Sequence, residues 1–126
     1  MSENKLEVKI RRVSPFANAI DIRGEITSFT ETTLFDAYEM AIQGNIRSLI
    51  FNFSEMDQMN SFGIGMLIRL LVRAQREGKK FVGYGLNDHY RKIFELTRID
   101  QAIPIYLNEE TAIASAEPMD HIEREN

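Results

Sequence analysis

The side chain best placed to do chemistry is the hydroxyl of Ser61, in the run Asn60-Ser61-Phe62-Gly63-Ile64-Gly65. A strand-forming run, Ser48 to Phe53, leads towards it through a short polar stretch, and helix-periodic residues from about Phe62 to Glu77 lead away. The spacing puts Ser61 at a helix start, in the N-cap position. There its oxygen can accept from one of the backbone N–H groups that the first helical turn leaves unpaired. The same helix end carries a partial positive charge and is a natural seat for an anion. Gly63 and Gly65 have no side chains, so a phosphate or a partner can come close to the backbone. The chemistry these features suit is phosphoryl acceptance by Ser61, on a surface that another protein reads. The plainer role, and the commoner one for a serine before a helix, is capping alone.

The expected partner-binding surface is Met59, Asn60, Ser61, Phe62, Gly63, Ile64 and Met66. Phe62 is either an exposed contact or a first-turn ring folded back over Met59 or Met66. Met56, Met59 and Met66 surround the serine; methionine makes adaptable binding surface but more often fills core. Asn60 is a loop residue able to satisfy its own backbone. Arg69 and Arg73, four apart on the helix, can meet acidic groups of a partner or form a solvated face.

Other chemistries lack their residues. No cysteine is present, which excludes disulfides, thiol catalysis and thiolate metal sites. Glu55, Asp57 and Asn60 do not have the spacing of a calcium loop, so no metal site is expected. His89 belongs to a helix start and His121 to the last residues of the chain. No nucleophile-elbow pattern joins Ser61 to a histidine and an acid. Gly83-Tyr84-Gly85 lacks the third glycine and the downstream acid of a dinucleotide loop. Neither an enzyme nor a cofactor is expected.

The chain has 126 residues and a formal net charge of −4. That length suits one domain. The mild negative charge, with its bases dispersed, argues against a nucleic-acid surface. No apolar run approaches membrane-spanning length and Met1 to Lys5 has no signal-peptide core. A soluble, cytoplasmic protein is expected.

The elements that must position Ser61 follow in order. Leu6, Val8 and Ile10 alternate with Glu7, Lys9 and Arg11, which is a half-buried strand over Lys5 to Val13. Ser14-Pro15 marks a turn, and Phe16 to Ile22 returns as a hairpin partner ending at Arg23-Gly24. Ser28 and Glu31 have capping-box spacing before a helix over about Phe29 to Gln43, with Leu34, Ala37, Tyr38 and Ala41 inward. Ile46 to Phe53 reads as a strand covered on both faces, and Ser54 to Asn60 as a connection. In the central helix Ile64, Leu67, Ile68 and Leu71 form the expected core face, and Gly78 ends it. Phe81 to Gly85 is a strand. Asp88 to Thr97 is a helix with Tyr90, Ile93, Phe94 and Leu96 as apolar contacts. Ile103 to Tyr106 is a strand whose proline places it at an edge, and Asn108 caps a final helix to about Ala116. The alternation implies an α/β domain: a mixed, mostly parallel sheet of about five strands with about four helices.

These pieces resemble the STAS domain, the fold of bacterial anti-sigma factor antagonists, from about Leu6 to Ala114. Ile22-Arg23-Gly24-Glu25-Ile26 is similar to the family's second strand and turn, and Leu49 to Phe53 to its third strand. Asn60 to Gly65 is similar to its Asp-Ser-Ser/Thr-Gly-Leu-Gly signature, and Phe94-Glu95-Leu96-Thr97-Arg98-Ile99 to the end of its third helix. The resemblance implies that residues 1–116 form one STAS-like domain; residues 117–126 are polar and unpatterned and read as a flexible tail. It implies that Ser61 is the phosphoacceptor of a partner switch. The unphosphorylated form would bind a serine-kinase/anti-sigma type regulator, phosphorylation would release it, and a PP2C-like serine phosphatase would reset it. STAS-like domains also serve as constitutive subunits of lipid or anion transport assemblies. Four positions depart from the pattern. Asn60 replaces Asp, Phe62 replaces a small Ser or Thr, Arg98 replaces a frequent Gly, and Thr27 replaces an acidic residue.

Overall fold

The computed structural model describes residues 5–116. β1 (Leu6–Ser14) and β2 (Ala17–Ile26) form an antiparallel hairpin, and β3 (Ser48–Met59), β4 (Lys80–Tyr84) and β5 (Ile105–Tyr106) add in sequence, each parallel to its neighbour. The sheet order is β1-β2-β3-β4-β5. The helices are α1 (Glu31–Ala41), α2 (Ser61–Arg76), α3 (Asp88–Leu96), α4 (Ile99–Ala102) and α5 (Glu109–Ala116). This is the expected α/β domain, with the short α4 added. The expected C-terminal tail and His121 lie outside the described residues.

Alternation within the strands splits the core in two. Ile20, Ile22, Leu49, Phe51, Phe53 and Phe81 point to one face, where α1, α2 and α3 add Leu34, Tyr38, Leu67, Leu70, Tyr90 and Phe94. Ala19, Ile50, Val82 and Tyr84 point to the other, beneath Ala112 and Ala116 of α5. β5, two residues after Pro104, forms one edge of the sheet. β1 forms the other.

Several boundaries differ from the sequence reading. β2 does not stop at Arg23-Gly24. It runs to Ile26, with Gly24 at φ +112° inside the strand and register shifts on either side of it. Ser54 to Met59 is not a loop but the second half of β3. Beyond Asn52 the strand loses β4 and pairs only with β2, through Arg23↔Glu55, Gly24↔Met56, Glu25↔Gln58 and Ile26↔Met59. Only Phe53, Met56 and Met59 are buried there. The irregular register turns the period of two into a period of three, which hides the strand.

Ser28 does not cap the first helix. Thr27 does so for a 3₁₀ turn, Ser28–Thr30, that precedes α1. The Thr27 Oγ1 accepts from Phe29 N–H at 3.1 Å and the Thr30 Oγ1 accepts from Thr27 N–H at 2.9 Å. Along α2 the buried stripe is Gly63, Met66, Leu67, Leu70, Leu71 and Ala74. Ile64 is half-buried and Ile68 is exposed, so the core face is rotated from the expected one. Both stripes are apolar at helical spacing, and the sequence alone does not say which faces in. Leu96, expected as a contact, is 75% exposed.

Arg98 sits at φ +66°, between α3 and α4, the only described residue other than glycine with positive φ. This is the left-handed region, which costs an L side chain roughly 1–2 kcal/mol. It explains why a glycine suits the position. Arg98→Gly is expected to raise the unfolding free energy by up to about 1 kcal/mol in urea denaturation, because relief of strain exceeds the added chain entropy. A loss of stability would mean that the Arg98 side chain makes a compensating contact.

Candidate functional site

The site is the junction between β3 and α2. Asn60, not Ser61, is the N-cap: its backbone is extended and its Oδ1 accepts from Gly63 N–H at 2.9 Å. Its carbonyl accepts from Ile64 N–H at 2.9 Å, and its own N–H donates to the Ile26 carbonyl at 3.3 Å. Ser61 is therefore the first residue of the helix. The Asn60-x-x-Gly63 spacing carries the signal for this cap, but serine and asparagine are near-equal N-caps and the sequence offered both in succession.

The shift releases Ser61 from structural duty. The residue is exposed, and its hydroxyl makes no hydrogen bond among the described residues. With Gly63 and Ile64 N–H groups taken by Asn60, the N–H groups of Ser61 and Phe62 remain for an incoming anion. No acidic residue stands in the first turn.

The residues expected around Ser61 divide in two. Asn60, Ser61 and Phe62 are exposed, Phe62 by 67%, and Ile64 is half-buried. Met59, Gly63 and Met66 are buried, so they support the surface from below and do not form it. Met56 is buried as well, which makes all three methionines core. Gly63 is indispensable for packing, because a Cβ there would collide with the carbonyl of Ile26. A Cβ at Gly65 would meet nothing.

Two supports were not visible in the sequence. Tyr90 of α3, itself buried, accepts a hydrogen bond from Met59 N–H at 2.8 Å and ties α3 to the strand end before the serine. The 3₁₀ turn packs against α2 and leaves Phe29 79% exposed. Phe29, Phe62, Ile68 and Val72 are all exposed apolar side chains on α2 or on the turn beside it. Local spacing could not show that Ile26 to Phe29 lies beside α2.

Arg69 and Arg73 are committed within the chain. Arg69 pairs with Glu31 of α1 at 2.8 Å and lies over the Phe35 ring. Arg73 pairs with Glu39 and Glu77 and lies over Tyr38. His89 is in the first turn of α3, edge-on to Tyr90, and no hydrogen bond joins it to Ser61. Among the described residues no cluster of His, Cys, Asp or Glu could hold a metal ion, and no helix is long and apolar enough to cross a membrane.

Fold and site define a class: a small α/β domain that presents a structurally uncommitted serine at the mouth of its central helix. The chain belongs to the STAS domain family, whose model matches residues 10–112. Among solved structures it is similar to an anti-sigma factor antagonist from Mycobacterium paratuberculosis. That match has 17% identity over 91% of this chain and 97% of the other, with a TM-score of 0.78. It is similar to the Bacillus cell fate determinant SpoIIAA in its phosphorylated form, at 19% identity over 88% and 100% with a TM-score of 0.68. It is also similar to a sulfate transporter family protein from Wolinella succinogenes, at 14% over 84% and 88% with a TM-score of 0.72. At these identities the likeness is one of fold.

Asn60→Ala is expected to cost about 1 kcal/mol of unfolding free energy as the cap is lost. Ser61→Ala should stay within about 0.5 kcal/mol, as an exposed residue without partners does. Gly63→Ala should cost several times more than Asn60→Ala, and Gly65→Ala should add up to about 1 kcal/mol as a helix-interior glycine is replaced. Urea unfolding of the four variants checks the set. A larger loss at Ser61 than at Asn60 would return the capping role to the serine.

Proposed function

We propose that this chain is the phosphorylatable member of a partner switch. Its unphosphorylated form binds a serine-kinase/anti-sigma type regulator over the exposed start of α2. Phosphorylation of Ser61 by that regulator ends the complex, and a PP2C-like serine phosphatase restores it. The observation that carries the reading is that Asn60 caps the helix while the Ser61 hydroxyl is exposed and makes no hydrogen bond among the described residues. Membership of the STAS family and a fold like that of anti-sigma factor antagonists support it.

The docking surface in this reading is Asn60, Ser61, Phe62 and Ile64, extended by Phe29, Ile68 and Val72. Phe62 widens the apolar part where the family has a small residue. Aromatic side chains of this kind anchor interfaces when a partner covers them.

A phosphoserine carries about −1.5 to −2 charge near neutral pH. At the first position of α2 that charge meets the positive end of the helix, which favours it by ~0.3–1 kcal/mol when exposed. The fold therefore tolerates it. A bound regulator does not, because the dianion must be desolvated or must face like charge, at a cost of several kcal/mol. Each ~1.4 kcal/mol is tenfold in affinity, so dissociation needs only part of that penalty.

The second reading is a constitutive STAS interaction subunit of a lipid or anion transport assembly. The fold shared with a sulfate transporter family protein favours it. The two readings differ in what Ser61 does.

The purified chain, incubated with ATP and a serine-kinase/anti-sigma type protein from the same genome, is expected to gain one phosphate, located on Ser61 by peptide mass spectrometry. Ser61→Asp should weaken binding to that kinase at least tenfold, a loss of about 1.4 kcal/mol, with little change in Tm. Phosphate on another residue, or Ser61→Asp binding as tightly as the unmodified chain, would overturn the switch. Binding to a transport assembly that is indifferent to Ser61→Asp would establish the second reading.

A further inference from the structure

β1 leaves one margin of the sheet open over nine residues without a proline among them, whereas β5 closes the opposite margin with two residues after Pro104. Its backbone geometry follows from one hydrogen bond. Glu25 N–H donates to the Lys5 carbonyl at 3.0 Å, and the register then runs without a shift from Leu6↔Gly24 to Arg12↔Asn18. Hydrogen-bonded and non-bonded pairs alternate in an antiparallel ladder. Lys5, Glu7, Lys9 and Arg11 therefore turn their N–H and C=O groups towards β2, and Leu6, Val8 and Ile10 turn theirs outward. Among the described residues no strand pairs with this side of β1.

We propose that the β1 edge pairs with the same edge of a second copy of this chain, antiparallel, with Val8 on the two-fold axis. The charge pattern favours a second copy as the partner, and charge together with the length of strand paired sets the register. With Val8 on the axis, Val8 faces the second Val8, Leu6 faces Ile10, and Glu7 faces Lys9 twice, once on each side. The outward backbone groups of Leu6, Val8 and Ile10 then bond across the seam. Shifting the axis to Glu7 sets Glu7 against Glu7 and Lys5 against Lys9. An axis on Ile10 sets Lys9 against Arg11. An axis on Lys9 sets Lys9 against Lys9 and asks for Arg11, which already pairs with Asp21 at 2.6 Å and Glu109 at 2.9 Å. Like charges directly opposite across strands are unfavourable. Of the axes from Glu7 to Ile10 only Val8 avoids them at the centre of the seam, with Lys5 against Arg11 at its outer ends. An axis on Leu6 also sets opposite charges together, Lys5 against Glu7, but leaves Val8 and Ile10 opposite residues before Lys5. The Val8 axis therefore pairs more of the described strand.

Exposure agrees with this register. Glu7 and Lys9 are exposed and Val8 and Ile10 are half-buried. Among the described residues Glu7 pairs only with Arg23, at 4.0 Å, the outer limit of an ion pair. The two-fold reverses strand direction, so the starts of the two α2 helices lie at opposite ends of a ten-stranded sheet.

Sedimentation equilibrium over a concentration series tests the proposal. The unmodified chain is expected to show a monomer–dimer equilibrium. Glu7→Lys or Lys9→Glu alone sets like charges opposite twice and should weaken the dimer about tenfold or more. The double variant Glu7→Lys/Lys9→Glu should recover it. Val8→Pro removes an outward N–H and no internal ladder bond, so it should give a monomer with native far-UV circular dichroism. A chain that stays monomeric throughout the series overturns the proposal. So does a dimer indifferent to Glu7→Lys and Val8→Pro, and so does a charge swap that fails to recover association.

Discussion

The contact on which the site depends is the docking of the first turn of α2 onto the last residue of β2. The carbonyl of Ile26 accepts the N–H of Asn60, and Gly63 lies so close to it that no Cβ fits. That approach fixes the helix by its backbone. Once it is fixed, Asn60 Oδ1 reaches Gly63 N–H, and the two residues between them, Ser61 and Phe62, are left exposed. The exposure of Ser61 is thus a consequence of where Gly63 sits. Tyr90 completes the mount from the other side by bonding Met59 N–H.

The charges on α2 serve a different end. Tyr38 donates to Glu77 at 2.8 Å, and burial, then that carboxylate, push its hydroxyl above the ordinary tyrosine range. The hydrogen bond from Tyr38 and then Arg73 hold the Glu77 carboxyl below its ordinary value. Across neutral pH the tyrosine is therefore a donor and the glutamate an acceptor. With Arg69 on Glu31 and Arg73 on Glu39, this network fastens α1 to α2. Exposed pairs of this sort contribute ~0–1 kcal/mol each, so their effect is one of registration more than stability. They also occupy two of the three arginines of α2 within the chain. What α2 offers outward near Ser61 is apolar: Phe62, Ile68 and Val72.

Where the sequence was regular, it was legible. The alternation of Leu6, Val8 and Ile10, the stripe of Leu34, Tyr38 and Ala41, the buried run Leu49 to Phe51 and the cap at Asn108 each read as the element they form. Together they were enough for the order of elements along the chain and for the fold class. Errors came where two templates fitted one stretch. Ser61 and Asn60 both suit an N-cap, Ser28 and Thr27 both precede a helical turn, and α2 has two apolar stripes. Local chemistry could not choose between them, because the choice was made by long-range contacts: the Ile26 carbonyl against Gly63, and Thr30 Oγ1 donating to the Glu25 carbonyl.

Arg98 and the register shift near Ser14 apart, several irregularities fall together. Gly24 at positive φ, the shifts that flank it and the period-three burial of β3 after Phe53 lie along the paired ends of β2 and β3, and Gly63 of α2 packs against that end at Ile26. A regular ladder there would have kept the period of two, and with it a strand that reads as a strand. Instead β3 runs on past its β4 pairing as a half-supported arm, with Glu55, Asp57 and Gln58 in solvent and Met56 and Met59 beneath. The arm carries the start of α2 beyond the point where the β3–β4 pairing ends. Departures from local rules concentrate at functional or strained sites, and here several converge on the strand ends that mount Ser61, the acceptor in the proposed switch. The same features that hid this segment from a periodicity reading set its hydroxyl in the open.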